Sequence, residues 1–206
     1  SDINSLQGGN LPTDQELLKN STAEATTDTN PFLELYKYTL DLFLTPLPTS
    51  TLTQDSEQTS IVNDVSSKTY NGLVYYPQCY GPYDDYPLPG GGTICQAGCG
   101  PTSVAMLLSS FIDSKYTPPY VVNLYEENNQ ALSSNGSGLA SARLIMNKYG
   151  LTTTDLISFG GAGASEVASE LKNYLDQGWV MFALARFKAA GHYFVVSGVE
   201  NGNILA

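Results

Sequence analysis

The sequence predicts an α+β fold, with helices leading and an antiparallel sheet closing the chain. Three observations carry that expectation. Between Pro101 and Asp176, segments of helical texture are separated by breaks rich in Gly and Pro. Two β-rich runs follow, Trp179–Phe187 and His192–Glu200. Asn201-Gly202 is the favoured dipeptide of a two-residue hairpin turn, and Asn203–Ala206 begins the return strand. Helices grouped ahead of such a hairpin imply segregated layers rather than alternating βαβ units.

Taken in order, residues 1–30 are rich in Ser, Thr, Asn and Asp and are expected to be flexible, with a short helix around Asp14–Asn20. The stretch Phe32–Leu44 is far more apolar. Asn30 can cap it, Pro31 suits its first turn, and Leu33, Tyr36, Leu40 and Phe43 share a helical stripe, which predicts a helix over about 31–45. Pro46 and Pro48 end it, and Ser50–Ser67 reads as a polar linker. The expected organisation is therefore an N-terminal extension over 1–70 and a packed domain over 71–206. Charge follows the division: net −7 before residue 71 and net −4 after it.

In the packed domain one helix opens near Pro101 and runs through Val104, Leu107 and Phe111. A second follows Pro118-Pro119, over about Tyr120–Asn129. A third covers Leu139–Tyr149 and stops at Gly150, a C-terminal cap signal. Leu156-Ile157-Ser158 is a short strand. A fourth helix spans Ala164–Asp176 and ends before Gly178.

Composition excludes several functions. The chain has 206 residues, with 20 acidic and 9 basic side chains and a net charge of −11. Nucleic acids and anionic membrane surfaces need clustered Lys and Arg, so neither is an expected partner. One His and three spaced Cys exclude a multi-histidine site and a four-thiolate zinc site, and no cofactor is expected. No apolar run approaches the roughly 20 residues needed to span a bilayer. The first residues carry no basic n-region or apolar h-region, so no signal peptide is expected at Ser1. Abundant Tyr, Thr, Ser and Asn with few Lys favour an extracellular or cell-surface location; a monomer is expected. Asn20-Ser21-Thr22 and Asn135-Gly136-Ser137 match the glycosylation sequon.

The sharpest local feature is Ala97-Gly98-Cys99-Gly100-Pro101-Thr102-Ser103-Val104-Ala105-Met106. Glycines allow close backbone approach and unusual φ values. A thiol at a helix N-terminus feels the positive end of the helix dipole, which favours thiolate. The plain alternative is a small buried cysteine. His192, the single histidine, begins a strand; beside a thiolate it would act as base and then acid, although a strand histidine is more often a core or rim residue. Gln78, in Tyr75-Tyr76-Pro77-Gln78-Cys79-Tyr80, carries an amide able to donate to an oxyanion. By itself it reads as an ordinary loop glutamine.

Their order is more specific than any one of them. Tyr76-Pro77-Gln78, then Gly98-Cys99-Gly100-Pro101-Thr102-Ser103 with Ala105-Met106 on the following helix, then Gly191-His192-Tyr193-Phe194-Val195-Val196 resembles the papain-like cysteine peptidases. The branch is the one related to the bacteriocin-processing double-glycine peptidases, and the resemblance covers about 71–206. It implies a papain-like fold whose helical part carries the nucleophile and packs on the C-terminal sheet. It also implies Cys99 as nucleophile, His192 as acid/base, Gln78 as oxyanion donor, and a peptide or protein substrate. The family's third residue, an Asp or Asn on the next strand, is not evident. On an uninterrupted hairpin Glu200 pairs with Asn203, and the partner of His192 would be residue 211. Asn203 would then lie at the hairpin tip, about 26 Å from His192. This predicts impaired catalysis for the 206 residues given. The competing function is a catalytically inactive papain-like module for peptide binding or adhesion.

Three cysteines allow three pairings. Cys79–Cys95 is favoured, because it would hold Gln78 near the nucleophile and leave Cys99 as a thiol. An all-thiol form and a Cys95–Cys99 bond that blocks the nucleophile are the alternatives. Asp84-Asp85 lacks an EF-hand spacing and reads as a solvated turn. Tyr75, Tyr76, Tyr80, Tyr83 and Tyr86 would line either a substrate groove or a packed rim.

Overall fold

A computed structural model of the chain describes residues 40–46, 68–70, 72–187 and 190–206. The helix expected at Asp14–Asn20 and the linker over 50–67 lie outside these residues. In chain order the elements are β1 (Leu40–Pro46), β2 (Lys68–Tyr70), β3 (Leu73–Tyr75), α1 (Ile94–Ala97), α2 (Cys99–Phe111) and α3 (Pro118–Glu127). They continue as β4 (Leu132–Ser133), β5 (Gly136–Ser137), α4 (Leu139–Lys148), β6 (Ile157–Ser158), α5 (Ala164–Asp176), β7 (Trp179–Phe187), β8 (Ala190–Val196), β9 (Gly198–Glu200) and β10 (Asn203–Leu205).

The main sheet has the order β6-β1-β7-β8, antiparallel throughout. Its α+β character is as expected, but one of its central strands is not. Leu40–Pro46, in the stretch expected to be helical, pairs along its whole length with β7, from Leu40↔Ala185 to Pro46↔Trp179. The reason is burial on both sides. Leu42 and Leu44 enter one core and Phe43 the other, so the middle of the strand reads as the apolar run Leu42-Phe43-Leu44, in which helical and strand periods coincide.

Alternation along β1, β7 and β8 sorts side chains onto two faces. Phe43, Val180, Phe182, Leu184, Tyr193 and Val195 meet α2, and through it α3 and α4. Leu42, Leu44, Met181, Ala183 and Val196 meet Val167 and Leu171 of α5. Nearly every residue of α2 is buried, as a helix apolar on most sides must be. Its buried Ser109 is satisfied, donating to the Tyr116 carbonyl at 2.8 Å and sharing a hydrogen bond with Tyr76 Oη at 3.0 Å.

The run expected as one strand over His192–Glu200 is two, β8 and β9, broken at Ser197. There the Ser197 N–H and hydroxyl both donate to the Leu205 carbonyl, at 2.8 and 3.2 Å, and turn the β9–β10 hairpin out of the main sheet. The hairpin itself has the predicted register, Asn203↔Glu200, around Asn201 (φ 52°) and Gly202 (φ 79°). Extrapolation along one continuous strand to a partner at residue 211 therefore does not apply.

Candidate active site

Two short helical steps build the surroundings of Cys99. In α1 the Gly98 N–H closes on the Ile94 carbonyl at 2.7 Å, and the chain then turns directly into α2, of which Cys99 is the first residue. A Cβ on Gly98 would stand 2.6 Å from Ile94 Cα and 2.7 Å from its carbonyl oxygen, so no larger residue fits this junction. Gly98 has φ −89°, an ordinary value. The glycine is required by close approach, and the unusual φ anticipated as a second reason is not used there.

Gly100 is approached closely from the opposite side, here by a side-chain hydroxyl that a Cβ would displace rather than by backbone. A Cβ there would lie 2.2 Å from Ser137 Oγ and 3.4 Å from the Tyr193 ring. Pro101 falls in the first turn of α2, where its missing N–H costs no helical hydrogen bond. Cys99 is 7% exposed and outside any disulfide. The first turn of its helix carries no acidic residue to oppose the dipole.

Gln78 leaves β3 and reaches α1. Its Nε2 donates to the carbonyls of Ile94 at 3.0 Å and Cys95 at 3.1 Å. Cys79, the next residue, is disulfide-bonded to Cys95 with Cα atoms 4.5 Å apart. Of the three possible pairings this is the one that forms, and it ties the Gln78 segment to the residues just before Cys99. The enclosed loop folds back on α1 as well, through Ile94 N–H to the Tyr86 carbonyl and Cys95 N–H to the Asp84 carbonyl, each at 3.0 Å.

His192 lies on β8 opposite Ala185 and stacks on Phe194 at 6.3 Å between ring centroids. Its neighbour Tyr193 carries β8 onto the helix of Cys99. The Tyr193 ring stacks on Phe182 at 5.2 Å, and its hydroxyl donates to the Ser137 carbonyl at 3.0 Å. Tyr125 of α3, fully buried, completes the cluster. Burial pushes its phenol well above the ordinary value of 10.0; the Ser137 hydroxyl pulls the other way, and nearby Tyr193 and Cys99 push it further up.

The remaining expectations resolve differently. Tyr76 is buried and meets Tyr83 edge-on at 6.3 Å, while the half-buried Tyr86 donates to Asn123 Oδ1 at 3.0 Å. Tyr80 instead stands 69% exposed at φ 60°. Asp84 accepts the Asp85 N–H at 2.9 Å, and the described residues hold no group of side chains arranged to bind a metal ion. Sequence reasoning passed over the packing role of Ser137, noting it only as part of a sequon. Nothing local to Asn135-Gly136-Ser137 announces that its hydroxyl lies over Gly100, 37 residues earlier.

Among the described residues no helix is long and apolar enough to cross a membrane. Comparison with curated proteins and with solved structures finds no match to the chain. The model of one family does match, over residues 70–205, a span that includes Gln78, Cys99 and His192. With that match over well more than half its length, and with an α+β core whose buried central helix begins at a cysteine, the chain belongs to the Peptidase_C39 like family, a papain-like group of peptidases.

Proposed function

We propose that the protein is a cysteine peptidase in which Cys99 is the nucleophile, His192 the general base and acid, and Gln78 an oxyanion donor. The observation that carries this reading is Cys99 itself: a thiol kept out of the disulfide, at the first residue of a buried 13-residue helix, bracketed by two closely approached glycines.

The reaction follows from these parts. His192 takes the thiol proton, and the sulfur attacks the carbonyl carbon of a peptide bond, forming a C–S bond and an alkoxide. The alkoxide falls within reach of the first-turn N–H groups of α2, which lack helical acceptors. Gln78 contributes by exchanging one of its two carbonyl bonds for the oxyanion. Collapse breaks the C–N bond as the imidazolium gives its proton to the leaving amine. Water then attacks the thioester, His192 again accepting a proton, and releases a carboxylic acid and the free enzyme. An extracellular or surface setting is part of the proposal, because a half-buried disulfide persists in an oxidising compartment.

The test is the alkylation rate of each cysteine against pH, mapped by mass spectrometry on the non-reduced protein, followed by labelling with an irreversible peptidyl probe. Cys99 labelling that persists well below a thiol's usual pKa of about 8.5, with faster capture by the peptidyl probe, supports the peptidase. Labelling only above pH 8, with no preference for the peptidyl probe, leaves a peptide-binding or adhesion module as the reading.

A further inference from the structure

Resting on that peptidase reading, we propose that Tyr193 is a positioning residue: it holds the strand of His192 against the helix of Cys99 through a clamp closed on Gly100 and Ser137. Four observations converge on it. Tyr193 is buried, with its ring stacked on Phe182 at an interplanar angle of 28°. Its hydroxyl donates to the Ser137 carbonyl at 3.0 Å, linking β8 to β5 across 56 residues of sequence. The same ring and the Ser137 side chain both lie over the bare Cα of Gly100, at the 3.4 and 2.2 Å given above for an added Cβ. Fully buried Tyr125 closes the cluster, near enough for Tyr193, Ser137 and Cys99 to alter its acidity.

The consequence is geometric. Cα atoms of His192 and Tyr193 are about 3.8 Å apart, and those of Cys99 and Gly100 likewise. A rigid contact between Tyr193 and Gly100 therefore fixes the two backbones that carry the proposed proton-exchanging pair, with His192 itself projecting from the other face of β8 beside Phe194. Proton transfer between thiol and imidazole tolerates displacement of only about 0.5 Å, so a strand free to slide along α2 would lose the thiolate–imidazolium pair. In a papain-like site whose third residue is not evident in the sequence, the clamp supplies orientation from the neighbouring position. The ring packs against helix backbone, and a hydroxyl on a backbone carbonyl keeps it from turning.

The experiment compares wild type, Tyr193→Phe, Gly100→Ala and Gly100→Ala/Ser137→Ala. It measures the pH profile of Cys99 alkylation by iodoacetamide, with thermal midpoint and circular dichroism recorded on each. In wild type the expected profile has an acid limb well below pH 8.5. Tyr193→Phe removes one hydroxyl and should cut the rate at pH 6 about five- to tenfold, moving the acid limb upward, while the rate above pH 9 stays the same. Gly100→Ala should reproduce that shift. The double variant should move it back, since with Oγ gone the nearest neighbours of the new Cβ lie at 3.4 and 3.6 Å. Should Tyr193→Phe fail to fold, the Gly100 pair decides. Folded variants that keep the wild-type acid limb, or a double variant that shows no recovery, overturn the clamp and leave the peptidase standing. A wild-type profile with a single titration near pH 8.5 overturns both.

Discussion

The two faces of the main sheet are packed on different terms. Against α5, Leu42, Leu44, Met181, Ala183 and Val196 meet Val167 and Leu171 in a layer whose buried residues are all non-aromatic, with Phe159, Tyr174, Trp179 and Phe194 packed at its edge. Against α2, the same strands face a layer threaded with buried hydroxyls: Thr102, Ser103 and Ser109 on the helix, and Thr45 beside Phe43 on β1. Burying a hydroxyl is costly without a partner: Ser109 is satisfied, whereas the buried Thr102 and Ser137 hydroxyls and the Tyr125 phenol have no hydrogen-bond partner among the described residues, a cost carried by this layer. The α5 face holds the sheet together. The α2 face does that and also orients Cys99, Tyr125 and Tyr193. The two layers therefore differ in polarity, and His192, opposite Ala185 and stacked on Phe194, stands on the α5 side of β8 while Tyr193 stands on the α2 side.

The sharpest way to break that comparison is at Cys99, the proposed nucleophile. Cys99→Ala should lower peptide hydrolysis by at least ~10³-fold and abolish probe capture, with the thermal midpoint close to wild type. A residual rate near wild type would move the chemistry elsewhere. On the opposite face, Leu171→Ala empties part of that buried layer and should cost about 2–5 kcal/mol in urea unfolding. If the faces are independent, the pH profile of Cys99 alkylation stays unchanged in that variant; a displaced acid limb would show the two layers to be coupled.

Replacing Cys79 and Cys95 together by Ala should cost about 3 kcal/mol through loss of the closed loop. Because Gln78 is held to the same segment, capture by a peptidyl probe should slow as well, by more than alkylation by iodoacetamide. Tyr125 offers a pH test. Its phenol titrates above the ordinary 10.0 in the folded chain, so below pH 10 it is neutral in both states and contributes nothing pH-dependent. Above pH 10 the unfolded chain ionises first, and stability should fall by up to ~1.4 kcal/mol per pH unit. Tyr125→Phe should remove that part of the slope in alkaline unfolding curves, and an identical slope would place the phenol in a wetter setting. The smallest effect belongs to the exposed Lys172–Asp176 pair of α5, 2.6 Å apart. Its removal should cost about 0.3–0.5 kcal/mol at low salt and nothing measurable at high salt.

Local structure was largely legible. Pro118, Gly150 and Gly178 bracket helices close to where they were read. The helix Ala164–Asp176 and the strand Trp179–Phe187 have the anticipated limits, and Asn201-Gly202 turns the expected hairpin. Each is set by residues within a few positions, through caps, φ preferences and period. The misreadings share a cause. Leu40–Pro46 buries apolar side chains on both faces, so its period could not reveal that β6 and β7 would flank it. His192–Glu200 reads as one run because the break at Ser197 comes from a carbonyl at Leu205, brought close only by the hairpin.

The candidate site divides along the same line. The residue types at Gln78, Cys99 and His192, in that order, and the glycines on either side of the cysteine are written in the sequence, as is membership of a family recognisable from them. Which cysteines pair, what closes over Gly100, and which backbone carbonyl the Tyr193 hydroxyl reaches came from tertiary structure alone. Each depends on two surfaces meeting from 16 to 56 residues apart, as Cys79 meets Cys95 and Tyr193 meets Ser137. A chain read locally carries the candidate groups. Only the packed sheet and helix bring their backbones close enough for a missing Cβ or a single hydroxyl to decide the geometry.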